Sequence, residues 1–220
     1  MAREVRSINA LCISGSPRRG NTEVLVREAA ATLTELGAEV SLFSFAGKKL
    51  QACIACHKCA AEGLCVHRDD FEEFRRQYMG AEAVIVGTPV YHLAVPGALK
   101  AAIDRLGHTL CSHRRLVIPR FTKVYGFLVQ GGAPRGGQEY ALDFLIRHAL
   151  LMKGIPVTPD LLVSEVAGIC AQAPHGASLA EDVNLLDGCR HLARRVWEMA
   201  RLVSAGRAAL RGQLPPEYFG

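Results

Sequence analysis

Short apolar runs alternate with stretches of helical period along most of this chain. Ile8 to Ile13 is apolar and ends at Ser14-Gly15-Ser16-Pro17, which predicts a buried strand running into a turn. Asn21-Thr22 opens a helix whose Leu25, Ala29, Leu33 and Leu36 share one face, and Gly37 closes it. Further strands are predicted over Val40 to Phe43, Ala83 to Gly87, Val124 to Val129 and, interrupted, Val157 to Val163. Helices are predicted from a cap at Asp69-Asp70 to about Met79, over Pro96 to Gly107, from about Gly137 to Lys153, and from about Glu181 to Ala205. The last carries the stripe Leu185, Cys189, Leu192, Val196 and Val203, with Trp197 nearby, which is most simply core with part of it open to a dimer face. Residues 46–68 show no clear period.

Strands that alternate with helices imply an α/β fold, a parallel sheet with helices on both faces. Right-handed crossovers leave few topologies, and a doubly wound, flavodoxin-like five-stranded sheet of order 2-1-3-4-5 fits the count. Its ligand sits beyond the carboxyl ends of the strands, so the residues after strands one, three and four are the informative ones. The expected organisation is one domain over residues 1–206, a cysteine-rich insert at 53–65 after strand two, and an irregular tail over 207–220.

Composition narrows the function. With 50% hydrophobic and 21% charged residues among 220, the chain reads as a globular protein able to bury a core. The net charge of +5 comes without a long Lys/Arg block, so no nucleic-acid footprint is expected. No run of about 18 apolar residues is present, and no membrane span is expected. Met1 to Ser7 is charged and lacks an apolar leader core, which predicts a cytoplasmic protein. In a reducing compartment, clustered cysteines more often bind metal or do redox chemistry than form disulfides.

Three loops carry candidate chemistry. After strand one, Ser14-Gly15-Ser16-Pro17-Arg18-Arg19-Gly20-Asn21-Thr22 combines small residues, short donors and cations at a helix N-terminus, the composition of a phosphate cradle. It matches neither G-x-x-x-x-G-K-[ST] nor G-x-G-x-x-G; its plainer reading is a strand-to-helix loop that caps the helix. After strand three, Thr88-Pro89-Val90-Tyr91-His92 offers a stiff turn and a flat ring against which a planar ligand could lie. After strand four, Gln130-Gly131-Gly132-Ala133-Pro134-Arg135-Gly136-Gly137 allows close backbone approach.

Gly15-Ser16-Pro17-Arg18 with Gly20-Asn21-Thr22, and Thr88-Pro89-Val90-Tyr91 followed by Leu99-Lys100 and Asp104-Arg105, resemble the NADPH-dependent FMN reductase group of the flavodoxin superfamily. The resemblance covers roughly residues 8 to 170. It implies bound FMN, homodimers or homotetramers, and two-electron chemistry at the flavin, with NAD(P)H as donor. By that likeness Ser14, Ser16, Arg18, Asn21 and Thr22 hold phosphate, Pro89, Val90, Tyr91 and His92 line the ring, and Gly131 and Gly132 approach its polar edge.

Cys53, Cys56, Cys59 and Cys65 form C-x2-C-x2-C-x5-C. Four thiolates this close can converge on one centre, and such ligation suits an iron–sulfur cluster or zinc. Zinc ribbons usually set two pairs far apart, which favours the cluster, while free redox-active thiols stay open as a third reading. The spacing resembles that of the iron–sulfur flavoproteins, a branch of the same superfamily with a 4Fe–4S cluster beside FMN. Cys12, Cys111, Cys170 and Cys189 are scattered, Cys12 and Cys189 within apolar patterns. His57 and His108 read as surface residues, as does His113, and Asp104-Arg105 as an ion pair or subunit contact. His92 is the one candidate proton donor.

Three functions follow from these residues. One is an NAD(P)H-dependent oxidoreductase delivering electrons to a quinone, free flavin or another small acceptor. Another is a relay in which a cluster takes single electrons from a ferredoxin-like partner. The third is a flavin-binding or thiol-sensing module without turnover.

Overall fold

The computed structural model describes residues 6–111, 122–134, 136–160, 168–174 and 176–215. Its strands are β1 (Asn9–Ser14), β2 (Glu39–Ser44), β3 (Ala83–Pro89), β4 (Val124–Gly131), β5 (Ile155–Pro156) and β6 (Gly168–Gln172). The helices are α1 (Asn21–Glu35), α2 (Cys59–Glu62), α3 (Phe71–Gly80), α4 (Gly97–Cys111), α5 (Gln138–Leu151) and α6 (Val183–Ala209). All strand pairs are parallel in the order β2-β1-β3-β4-β5, with β6 also on β4. This is the flavodoxin-like α/β order that the alternating pattern predicts. β3 is buried throughout, which is why Ala83-Val84-Ile85-Val86 reads as an unbroken apolar run rather than an alternating one.

The fifth lane of the sheet departs from expectation. β5 pairs with Val124 and Tyr125, and β6 pairs with Phe127 to Gly131, so two short pieces in succession cover one edge of β4. The continuous strand expected over 157–163 is absent from its described part. Val157 donates its N–H to the Tyr125 carbonyl at 2.9 Å, and the chain then leaves the sheet at Thr158-Pro159. Ile155 and Val157 are the donors to β4, and Pro159, the next residue in that alternation, has no N–H for the ladder. Residues 161–163, like His113 and Arg135, lie outside the described residues.

Two apolar cores flank the sheet. On one face α1 and α6 meet through Leu25, Ala29, Leu33, Cys189, Leu192 and Val196, with Leu185, Trp197 and Val203 at the margin, so the α6 stripe is largely core. On the other face α3, α4 and α5 cover Leu11, Ile13, Val84, Val86 and Val129. There Phe43, Phe45 and Phe74 pack edge to face or tilted, with ring centroids 5.2 to 5.7 Å apart, and each ring contributes about 2 kcal/mol by burial alone. Cys12 and Cys189 are buried, and burial pushes both thiols up to about 12, the mark of inert core residues. α6 continues to Ala209, past the expected boundary at 206, and carries turns beyond it.

His148 on α5 faces an apolar groove between α4 and α5, and burial pulls its pKa down to about 4 against the opposing pull of Asp104. The unfolded chain takes up that proton near 6.5, so the unfolded state binds more protons between about 4 and 6.5. Stability is therefore full above about 6.5 and falls as pH drops through this window. His148→Gln is expected to remove about 2 kcal/mol of that slope, read by urea unfolding at pH 7 and pH 4.5. Equal slopes in the two proteins would assign the acid lability to other groups.

Candidate functional site: a phosphate-and-ring cleft and a four-thiol pocket

The loops after β1, β3, β4 and β6 converge at the carboxyl edge of the sheet on one cleft of about 340 Å³. Ser16, Arg18, Asn21 and Thr22 line it from the α1 side, and Pro89, Val90, Tyr91 and Gly132 from the other. That volume falls at the lower end of the range for small-molecule sites. α1 begins at Gly20 without a side-chain cap, and its first backbone bonds run from Glu23 and Val24 to the Gly20 carbonyl. The N–H groups ahead of these point toward the cleft, where the helix dipole favours an anion.

Two glycines make the close approach of these loops feasible. A Cβ on Gly15 would stand 2.6 Å from Leu99 Cδ2 and 3.1 Å from the Gly87 carbonyl, to which Gly15 donates its N–H at 2.7 Å. A Cβ on Gly87 would stand 2.2 Å from Val26 Cγ2.

The other expected ligand residues fall in different roles. Ser14 is fully buried, and its Oγ has no hydrogen-bond partner among the described residues. Asn21 is committed at both ends of its amide: Nδ2 donates to the Ala177 carbonyl at 2.8 Å and Oδ1 accepts from Leu179 N–H at 3.1 Å. Ser16 Oγ donates to the Arg18 carbonyl and accepts from the Arg18 N–H, which shapes the loop. Gly131 belongs to the sheet, paired with Gln172, and a Cβ there would meet Gln138 at 2.4 Å. His92 stands outside the cleft lining and is exposed. It shares a tight hairpin with Leu93, both at positive φ (47° and 65°), closed by paired backbone bonds between Tyr91 and Ala94. Two bulky residues in the left-handed region are unusual, and such strain clusters at ligand sites. The hairpin is tied to β4 by Val90 N–H donating to the Gln130 carbonyl at 2.8 Å.

The second site lies in the loop from 51 to 69. Cys53, Cys56, Cys59 and Cys65 are free thiols lining one small pocket against Arg105 and His108 of α4. Ala55 and His57 both take positive φ (50° and 56°) on either side of Cys56, and these reversals turn successive cysteines to one side. α2 then begins at Cys59 and ends on Gly63, at φ 69°. Burial pushes the Cys59 thiol up, and the nearby Cys65, Cys56 and Cys53 sulfurs push it further. Among the described residues no three cysteine, histidine or acidic side chains stand at metal-holding geometry. The pocket therefore gathers the thiols without setting them at ligand distances.

The loop is clamped at its base. Asp69 accepts from Gln51 N–H at 2.8 Å and Phe71 N–H at 3.2 Å, and pairs with Arg105 at 2.7 and 2.9 Å. It is Asp69 that caps α3, because the side chain of Asp70, at the N-cap position itself, makes no cap bond. Asp70 instead accepts from Lys49 N–H at 2.7 Å. Bonds from Arg105, Gln51 and Phe71 outweigh the opposing effect of burial, the largest single influence, and hold the Asp69 carboxyl below its ordinary value. Asp104 and Arg105 do not pair with each other, since Asp104 takes Lys100 at 2.6 Å. His57 and His108 meet edge to face with ring centroids 6.1 Å apart over this pocket.

The sequence pattern of the NADPH-dependent FMN reductases matches residues 8–167. The chain belongs to this family. It is a flavin-dependent oxidoreductase with FMN as its cofactor. An iron-sulfur flavoprotein of Methanocaldococcus jannaschii is 33% identical over 192 residues, which cover 87% of this chain and 96% of that one. A second from the same organism is 39% identical over 147 residues, 66% of this chain and 72% of that one. An NAD(P)H dehydrogenase (quinone) of Paracoccus denitrificans is 30% identical over 142 residues, 57% of this chain and 64% of that one. Among solved structures, a WrbA-like flavodoxin from Agrobacterium tumefaciens aligns with a TM-score of 0.59 at 21% identity over 89% of this chain and 99% of that one, a likeness of fold.

The cleft fits the cofactor by its own chemistry. Ser16, Thr22 and the uncapped helix N-terminus line it with Arg18 beside them, a donor set suited to a phosphate, whereas Ser14, its buried Oγ without a partner among the described residues, stands outside the lining. Sequence reasoning missed the wall formed by Ala173, Pro174, Gly176, Ala177 and Ser178, and the contribution of Gln130. The Pro-x-Gly turn after β6 could have signalled it. Placing strand five at 157–163 put that strand's carboxyl end in the wrong segment. Among the described residues no helix is long and apolar enough to cross a membrane.

Proposed function

We propose that this protein is an iron–sulfur flavoprotein that passes electrons between FMN and a 4Fe–4S cluster held by Cys53, Cys56, Cys59 and Cys65. The observation that carries this reading is the gathering of four free thiols in one pocket, on a chain similar to proteins named iron-sulfur flavoproteins. Four thiolates suffice for such a cluster. In the cleft, Ser16, Arg18, Thr22 and the first N–H groups of α1 hold the phosphate, with Ser14 beneath. Pro89, Val90, Tyr91 and Gly132 bound the ring. FMN supplies the two-electron chemistry and the exchange between one- and two-electron carriers. A ferredoxin-like protein is the single-electron partner, a small molecule is the alternative acceptor, and NAD(P)H is the hydride donor to the open face. The working form is a homodimer or homotetramer in the cytoplasm.

Arg18 is exposed and is the one Lys or Arg among the described residues that line the cleft. Arg18→Ala is expected to weaken FMN binding about tenfold, the equivalent of one charge-assisted hydrogen bond. Fluorescence titration of the apoprotein measures it, and an unchanged Kd would remove Arg18 from the site.

Anaerobic purification with quantitation of iron, sulfide, zinc and FMN tests the whole reading. About four iron, four sulfide and one FMN per chain is the expected result. FMN without metal, under strict anaerobiosis and after attempted cluster reconstitution, overturns the cluster. It leaves a reductase with a thiol-rich loop, as the similarity to a quinone-named dehydrogenase would suggest.

A further inference from the structure

Asn21 is the first residue of α1, and its side chain reaches across to the connection between β6 and α6. Nδ2 donates to the Ala177 carbonyl at 2.8 Å, and Oδ1 accepts from the Leu179 N–H at 3.1 Å. One planar amide thus meets an acceptor and a donor two residues apart, the pairing that a parallel strand would supply. Gly176, Ala177 and Ser178 line the same cleft as Asn21 and form part of its wall.

Among the described residues, these two are the only hydrogen bonds that tie the stretch from Gly176 to Leu179 to another part of the chain. The others stay within the connection: Ala177 N–H to the Pro174 carbonyl at 3.0 Å, Ala180 N–H to Ser178 Oγ at 3.2 Å, and Asp182 N–H to the Leu179 carbonyl at 3.2 Å. Leu179 is buried in the core with residues of α1 and α6, whereas Gly176, Ala177 and Ser178 are exposed. Packing therefore anchors one end of the wall, and Asn21 holds its cleft-lining part to α1. Gly176, Ala177 and Ser178 carry no charge, so this part of the wall encloses a ligand by contact rather than by attraction for a phosphate.

We infer that Asn21 is a positioning residue for the cofactor: rather than ligating the phosphate, it fastens the wall of Gly176, Ala177 and Ser178 to the start of α1, and this tie sets how tightly the cleft holds the flavin. The inference rests on the placement of FMN in this cleft. Asparagine suits the task because its amide both donates and accepts, whereas aspartate only accepts and alanine does neither. Without the tie, the free protein populates arrangements in which the exposed wall stands off from α1. A ligand then bears the cost of ordering the wall, which weakens binding whether or not the ligand carries a phosphate.

Riboflavin, which is FMN without its phosphate, separates the two roles. Asn21→Ala in the full-length apoprotein is expected to weaken FMN and riboflavin by the same factor, about tenfold, in fluorescence titrations run well below the melting midpoint. Arg18→Ala is the contrasting variant, expected to weaken FMN and leave riboflavin unchanged. A loss confined to FMN in Asn21→Ala makes Asn21 a phosphate ligand and overturns the inference. Unchanged affinity for both flavins, even with a lowered melting temperature, leaves Asn21 as a tie that serves stability alone and overturns it too. If Asn21→Ala does not fold, Asn21→Asp decides, since it keeps an acceptor for the Leu179 N–H and loses the bond to the Ala177 carbonyl. Weakened riboflavin binding in that variant supports the inference, and unchanged binding overturns it. FMN held as tightly by Asn21→Ala and Arg18→Ala as by wild type overturns the cleft placement and this inference together. An Arg18 effect without an Asn21 effect overturns only the role of Asn21.

Discussion

Cys56→Ala is expected to yield a folded, FMN-containing protein that takes up no stable four-iron centre. Cys56 is the most exposed of the four thiols, lies between two left-handed residues and belongs to neither apolar core. Replacing its sulfhydryl by hydrogen removes no buried contact, so the expected change in stability of the apoprotein is within about 0.5 kcal/mol. The flavin cleft draws on other loops, those after β1, β3, β4 and β6, so its FMN content should match wild type. Separation along the fold supports this independence. α4 starts beside the ring loop and meets the thiol pocket at Arg105, eight residues and roughly 12 Å further along its axis. Iron, sulfide and flavin analysis after anaerobic reconstitution gives the answer directly. Loss of FMN together with unfolding would show that the cysteines stabilise the fold, and full retention of iron would show that Cys56 is not a ligand.

Gly87→Ala is expected to produce the largest stability loss of any single methyl addition near the flavin cleft. The new Cβ would stand 2.2 Å from Val26 Cγ2 and 3.3 Å from Thr22 Cγ2, both on α1. Val26 is fully buried, and a valine in a helix has essentially one rotamer, so the collision is relieved only by moving α1 off the sheet. Overpacking of this kind costs about 2–3 kcal/mol, which lowers the midpoint of thermal unfolding by roughly 5–10 °C in a chain of this size. The displaced end of α1 carries Thr22 and the uncapped N–H groups, so FMN affinity should fall as well, by about tenfold. Gly107→Ala is the matched control. It lies within α4 with open space around its Cβ direction, and there alanine should stabilise by about 0.5–1 kcal/mol. Equal melting temperatures for Gly87→Ala and wild type would mean that α1 does not pack on β3 as described.

The order of elements was legible because a parallel sheet buried on both faces writes itself as unbroken apolar runs, as in Ala83-Val84-Ile85-Val86, and its helices as single stripes, as in Leu25-Ala29-Leu33. The loop after β1 that lines the cleft was legible for a related reason: a helix N-terminus left open to a cleft needs small residues beside it, and Gly15, Ser16, Gly20 and Thr22 supply them within one short segment.

Other features depend on residues far apart in the chain, which no local pattern reports. Asn21 reads as a ligand, yet its amide is taken up by Ala177 and Leu179, more than 150 positions away. Gly131 reads as a loop glycine, but pairing with β6 and the approach of Gln138 make it a packing position. The expected strand over Val157 to Val163 has apolar character, but the donors to β4 are alternate residues, Ile155 and Val157, and at the next such position Pro159 has no N–H to give. Asp104-Arg105 reads as an ion pair or subunit contact, and only the fold names the partners: adjacent helix positions face different directions, so Asp104 takes Lys100 while α4 turns Arg105 inward to Asp69. Sequence by itself determined the fold, the cofactor and the four thiols. Tertiary structure alone decided which groups those thiols meet, because a buried charge finds its partner through space.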